Sequence, residues 1–118
     1  METKTAMATP AAVTALAALA QATRLEIFRL LIQAGPAGLT PGEIAQRLGI
    51  PPSSLSFHLK ELSRAALLLA RPAGRHIHYS ANYPIMNALL GFLTESCCGG
   101  NPCHNTRATC CGQDADTA

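Results

Sequence analysis

The stretch EIAQRLGIPPSSLSFHLKELSRAALL, residues 43–68, decides how this chain folds. Just before it, Thr40 can cap a helix, with Pro41 at the first helical position and Glu43 three residues after the cap. That is a capping-box pattern, and Gly49 ends the short helix it opens. After the brief connection GIPPS the chain turns helical again. Leu55, Leu59 and Leu62 recur at helical spacing and mark the buried side of this second helix. Ser53, Ser54, Ser56, His58 and Lys60 fall elsewhere on its surface. A short helix, a tight turn and a helix with a polar surface form a helix-turn-helix unit.

The flanks extend this unit in both directions. Downstream, LLLARPAGRHIHYSA changes period. Leu68–Arg71 and His76–Ser80 are expected to be two short strands around a turn at Pro72-Ala73-Gly74, a β-hairpin. YPIMNALLGFLTES follows as a last helix, with Ile85, Met86, Leu89, Leu90 and Leu93 giving it a broad apolar face. Upstream, ATRLEIFRLLIQAG carries an apolar stripe of Leu25, Phe28, Leu31 and Ile32, and Gly35-Pro36 stops it. Before that, residues 11–21 predict an Ala-rich helix with Val13, Leu16, Leu19 and Ala20 at helical spacing. The order is therefore α-α-α-α-β-β-α, mostly α with a β-hairpin wing: a winged helix-turn-helix.

Length and composition agree with this reading. A chain of 118 residues makes one domain, and 48% hydrophobic residues with no Trp suit a compact helical core. Residues 1–96 are assigned to a DNA-binding and dimerisation domain and residues 97–118 to a flexible cysteine-rich tail. The first residues are apolar mainly through Ala and are broken by Thr9, Pro10 and Thr14. They run into an amphipathic helix, so they are read as structure rather than as a signal peptide. A cytoplasmic location is expected, and no membrane partner.

Charge alone favours an ordinary solvated surface, although a local basic stretch also suits contact with phosphates. The net charge is only +2, but from Arg47 to Arg75 five basic side chains face one acidic one, Glu61. A helix fits the major groove, where Ser, His and Lys side chains reach base edges or phosphates. Arg71, Arg75 and His76 on the hairpin can reach flanking backbone or the minor groove. The expected DNA-binding set is Ser53, Ser54, Ser56, His58, Lys60, Arg71, Arg75 and His76. No nucleophile pairs with a base, and no glycine loop opens a helix after a strand, so catalysis is not expected.

The segments LAQATRLEIFRLL, EIAQRLGIPPSSLSFHLKELSRAALL and GRHIHYSA together resemble the ArsR/SmtB family of metalloregulatory repressors, over roughly Leu16 to Leu93. The resemblance implies a homodimer on double-stranded operator DNA with a two-fold repeat, released when a thiophilic ion binds. Dimerisation is expected through the first and last helices. Three positions depart from the family pattern. Pro51 stands where a polar cap is common, Phe57 where a polar or basic residue is frequent, and Ala66 where Gly is common. The cysteine pattern near the start of the third helix is missing from TPGEIAQ, and PIMNALLGFLTE offers only Glu95 as a ligand.

All five cysteines, Cys97, Cys98, Cys103, Cys110 and Cys111, lie in one late segment. Soft ions prefer thiolates, and trivalent arsenic or antimony takes three sulfurs in a pyramid. CCGGNPC supplies three, because its Gly-Gly-Asn-Pro turn signal can carry Cys103 back to Cys97 and Cys98. As(III), with Sb(III) as a possibility, is the expected inducer, and no organic cofactor is expected. Three other readings stay open. Zinc or cadmium could use Cys97 or Cys98, Cys103, His104 and Cys110; the thiols could form a redox switch; or the tail could be inert. Cys110 and Cys111 form a second vicinal pair that could bind a second ion, replace a ligand or be incidental. A thiol-delivery protein is the rival of another class, and it would need a CxxC on a βαβ scaffold, which the sequence lacks.

Overall fold

The computed structural model describes residues 7–95. Five helices and one hairpin follow in chain order: α1 Thr9–Leu19, α2 Ala22–Ala34, α3 Pro41–Leu48, α4 Pro52–Arg64, β1 Leu68–Ala73, β2 His76–Ala81 and α5 Tyr83–Leu93. The expected winged helix-turn-helix is the observed one. The proposed tail, with Cys97, Cys98, Cys103, His104, Cys110 and Cys111, lies outside the described residues.

Local chemistry sets the boundaries. The capping box at α3 forms as expected: the Glu43 N–H donates to Thr40 Oγ1 (3.2 Å) and the Thr40 N–H donates to Glu43 Oε1 (2.9 Å). These hydrogen bonds from Thr40 hold the Glu43 carboxyl below the usual carboxylate range. Gly49 closes α3 in the left-handed region at φ 65°, its N–H donating to the Ala45 carbonyl (2.8 Å). α4 opens on Pro51 with no side-chain cap and Pro52 in its first turn, so its first N–H groups depend on solvent or a ligand.

Several boundaries differ from the sequence reading. α1 runs from Thr9 to Leu19 rather than over residues 11–21. Gln21 leaves it because its side chain caps the next helix, accepting from the Arg24 N–H at 2.8 Å. β1 continues through Pro72 to Ala73, and Gly74-Arg75 is the turn. Gly74 has φ 66° and Arg75 does not have positive φ, the pattern of a II′ hairpin turn, whose twist matches the strands. Pro72 is tolerated in a strand because a two-stranded sheet consists only of edges.

The core is built from Ile27 and Leu31 of α2, Ile44 of α3, Leu55 and Leu62 of α4, and Leu67. Each of these is almost wholly buried and contributes about 1.5–3 kcal/mol of transfer free energy. α1 faces inward with Ala12, Ala15 and Ala18, and of its larger residues Leu19 packs partly against the core. Val13 and Leu16 remain 57% and 42% exposed. Leu25 of α2, and Leu90 and Leu93 of α5, are likewise exposed, and Leu89 is the one buried residue of α5.

Two ties fix the wing and the last helix. Leu39 pairs with Tyr79 of β2, each N–H donating to the other's carbonyl (2.9 and 2.8 Å), so the loop after α2 extends the hairpin by one bridge. Tyr83 Oη donates to the Ile32 carbonyl at 3.1 Å, holding the first turn of α5 to the last turn of α2.

Ala66, between α4 and β1, has φ 64°. A Cβ in this region costs on the order of 1 kcal/mol. Ala66→Gly is therefore expected to stabilise the protein by about 0.5–1 kcal/mol and raise the thermal midpoint by a few degrees. An unchanged or lower midpoint in a calorimetric scan would contradict that account.

Candidate nucleic-acid interface

α4 stands on α3 and β1 through its leucine side and presents the opposite side to solvent. Ser53, Ser54, Ser56 and Lys60 are all exposed. His58 is placed differently. It is half-buried, with Nδ1 3.4 Å from Arg24 Nη1, and Arg24 Nε donates to the Ala18 carbonyl at 2.7 Å. A guanidinium only donates, so Nδ1 is the acceptor in this contact. Arg24 thus links the end of α1 to α4, a role that the sequence reading did not assign to it. The helical spacing from Ala18 to Arg24 gives no sign of it, because the contact to α4 spans 34 positions.

The wing presents Arg71, Arg75 and His76 to solvent. Arg75 occupies the turn itself, and His76 pairs with Ala73 beside it. Arg71 is tethered, its Nη2 donating to the Ala37 carbonyl at 3.1 Å, which directs it toward the loop between α2 and α3. The structure therefore separates the wing cations: Arg75 at the tip, Arg71 bound to the body of the domain.

On α4, Arg64 donates to Glu61 Oε2 at 2.7 Å, one turn apart. That bond holds the Glu61 carboxyl below its ordinary range and the Arg64 guanidinium above its own. The pair is solvent-exposed and contributes little to stability. It does neutralise the only acidic side chain between Arg47 and Arg75, so Lys60, Arg71 and Arg75 set the field along this side.

The sequence reading noted Phe57 only as a departure from the family pattern and gave it no role. It is 56% exposed and lies among the serines and Lys60 rather than in the core. A helical projection from Leu55, Leu59 and Leu62 places it outward, so the signal was present in the spacing.

Among the described residues, no three His, Cys, Asp or Glu side chains gather into a metal site. No helix of the described residues is long and apolar enough to cross a membrane.

A helix-turn-helix domain family model matches residues 19–71, from the end of α1 to the middle of β1. An ArsR-like transcriptional regulator from Rhodococcus is 28% identical over 71% of this chain and 76% of its own, with a TM-score of 0.64. HlyU from Vibrio cholerae is 32% identical over 72% of this chain and 92% of its own, with a TM-score of 0.59. The antimony-specific transcriptional repressor AntR is 25% identical over 75% of this chain and 80% of its own, with a TM-score of 0.54. No curated protein sequence matches the chain.

Proposed function

This chain belongs to the ArsR family of DNA-binding transcriptional regulators, and from that premise we propose that it is a cytoplasmic repressor released from its operator by trivalent arsenic or antimony. A regulator of this kind acts by binding, not by catalysis. The observation that carries the DNA reading is the exposed serine and lysine surface of α4, set beside a wing with Arg75 at its tip. In this reading Ser53, Ser54, Ser56, His58 and Lys60 enter the major groove, and Arg71, Arg75 and His76 hold the flanking backbone. The uncapped start of α4 adds backbone N–H groups that a phosphate can accept from.

The acting form is a homodimer. Leu16 of α1, Leu25 of α2, and Leu90 and Leu93 of α5 are large, apolar and exposed. Leu25 and Leu90 line a groove of about 310 Å³ with Leu19, Phe28, Ile32 and Met86. Apolar surface of this kind marks a contact site. A two-fold dimer would set two copies of α4 about 34 Å apart, one turn of DNA, on an operator with a two-fold repeat.

The inducer reading rests on the donor set. Cys97, Cys98 and Cys103 fall within seven residues, and the first follows Leu93, the end of α5, by four. Three thiols and arsenous acid combine with balance: three As–O bonds give way to three As–S bonds, and each thiol proton leaves with a hydroxyl as water. Ion binding there acts on DNA indirectly, by constraining the end of a helix that packs in the dimer. Allosteric coupling of about 1–3 kcal/mol corresponds to a roughly 5–150-fold loss of operator affinity. Resemblance to an antimony-specific repressor supports a metalloid as the ligand class.

The test is a titration of operator-bound protein with arsenite and then with zinc, for the wild type and each of the five Cys→Ser variants. Arsenite is expected to release DNA, and Cys97, Cys98 and Cys103 are each expected to be required, while Cys110 and Cys111 are not. Release by zinc alone would replace the metalloid reading, and release by mild oxidant alone would replace it with a redox one. Arsenite release that survives Cys103→Ser would break the three-sulfur assignment.

A further inference from the structure

The outward side of α4 carries one residue that neither phosphate binding nor hydrogen bonding to bases explains. Phe57 is the one large apolar side chain exposed on α4, at 56%. At about 100° per residue it stands about 160° around the helix from both Leu55 and Leu59, and about 140° from Leu62. Those three leucines are buried, so Phe57 points away from the core. Ser53 lies one turn before it and Lys60 one turn after, both exposed. Its ring meets His58 edge-on, with centroids 5.7 Å apart and planes 63° apart. His58 is itself held by Arg24, so this contact limits where the phenyl group can swing.

We propose that Phe57 is a specificity-determining residue that packs against the 5-methyl group of a thymine in the major groove. The inference rests on the reading of α4 as the major-groove helix. A phenyl group has no donor or acceptor, so it cannot use the hydrogen-bond code of the groove. The distinctive apolar group in that groove is the thymine methyl, and Phe is a side chain suited to it. The surroundings favour DNA over an apolar protein partner. Ser53, Ser54, Ser56 and Lys60 ring the phenyl with groups that bond phosphates and base edges, whereas a protein-docking patch would extend the apolar surface. Burying the ring on DNA also recovers apolar area that is left in water in the free protein. The operator is thus expected to place a thymine at the same position of each half-site.

The experiment compares the DNA upstream of the protein's own gene as a normal duplex and as one with uracil in place of thymine. Uracil pairs identically and lacks only the methyl. Wild-type protein is expected to bind the uracil duplex about four-fold more weakly for each methyl touched, hence roughly fifteen-fold for two half-sites. Phe57→Ala is expected to bind the thymine duplex that much more weakly and to bind both duplexes alike. Phe57→Leu, which keeps an apolar end, is expected to retain part of the difference. The cycle of protein and DNA changes separates direct contact from an effect of the methyls on DNA shape. Equal wild-type affinity for the two duplexes overturns the inference. So does an undiminished uracil penalty in Phe57→Ala, which would assign the methyls to another side chain or to DNA shape. Failure of wild-type protein to bind either duplex overturns the DNA-binding reading itself, and the inference with it.

Discussion

Leu90→Glu is expected to leave the protomer folded and to abolish the dimer. The side chain is 52% exposed in the protomer, so a carboxylate there stays in water and costs little, within about 0.5 kcal/mol. In a two-fold dimer the same position occurs twice, and each copy takes a carboxylate out of water beside Leu25 and Met86, in a groove whose one cationic lining residue is Arg29. Desolvating a carboxylate costs several kcal/mol, and pairing with Arg29 offsets only part of that. The dimer is therefore expected to weaken by at least about a hundredfold. Operator binding should fall with it, because one α4 per molecule reaches only one half-site. Sedimentation at micromolar concentration is expected to give a dimer for the wild type and a monomer for the variant, with unchanged helical circular dichroism. A variant that still sediments as a dimer would remove α5 from the interface. Loss of helical signal would show instead that Leu90 serves the protomer's own core.

Gly38→Ala is expected to destabilise the protomer by about 3 kcal/mol, through both backbone and contact. Gly38 has φ 75°, a region that costs an L-residue about 1–2 kcal/mol. A Cβ added there would also overlap the Tyr79 carbonyl oxygen and lie 2.9 Å from its carbon. That oxygen accepts the Leu39 N–H, so the loop can make room only by giving up the bridge that joins it to the wing. Gly49→Ala is the control: φ is 65°, but nothing lies within 4 Å of the added Cβ, so only the backbone cost of about 1 kcal/mol is expected. Urea denaturation of both variants isolates the contact as the difference between them. Equal losses would mean that the loop moves away from β2 freely. Because the bridge fixes the hairpin beside α3, Gly38→Ala is also expected to weaken operator contacts from Arg75 more than those from α4.

Helical spacing left open which face of the first helix is buried. The sequence places Val13, Leu16, Leu19 and Ala20 at helical spacing there, and the small side chains of this helix are expected to let another helix approach closely. The structure buries Ala12, Ala15 and Ala18, because only small side chains allow α1 to lie close against its neighbours. Both sets have helical spacing, and periodicity cannot rank them. His58 gave a similar ambiguity. As a polar residue on the recognition helix it read as a base contact, yet its Nδ1 meets Arg24, a residue from another helix. Phe57 was visible as a departure from the family pattern, and its outward position follows from the three leucines alone.

What the sequence determined by itself lay with neighbours a few residues away. Thr40 and Glu43 set the start of α3, Gly49 its end, Pro51 and Pro52 the uncapped start of α4, and Leu55, Leu59 and Leu62 the side that α4 buries. Such signals act through hydrogen bonds and spacings contained in one or two turns, so they are written in a short window. The tertiary structure alone decided the pairing of Leu39 with Tyr79, the tether of Arg71 to Ala37, the contact of Arg24 with His58, and the apolar residues of α1, α2 and α5 left uncovered. The three contacts each join groups more than thirty positions apart, and the uncovered face depends on which neighbours every helix finds. They exist only once the core has fixed how the helices meet, and no local pattern encodes that.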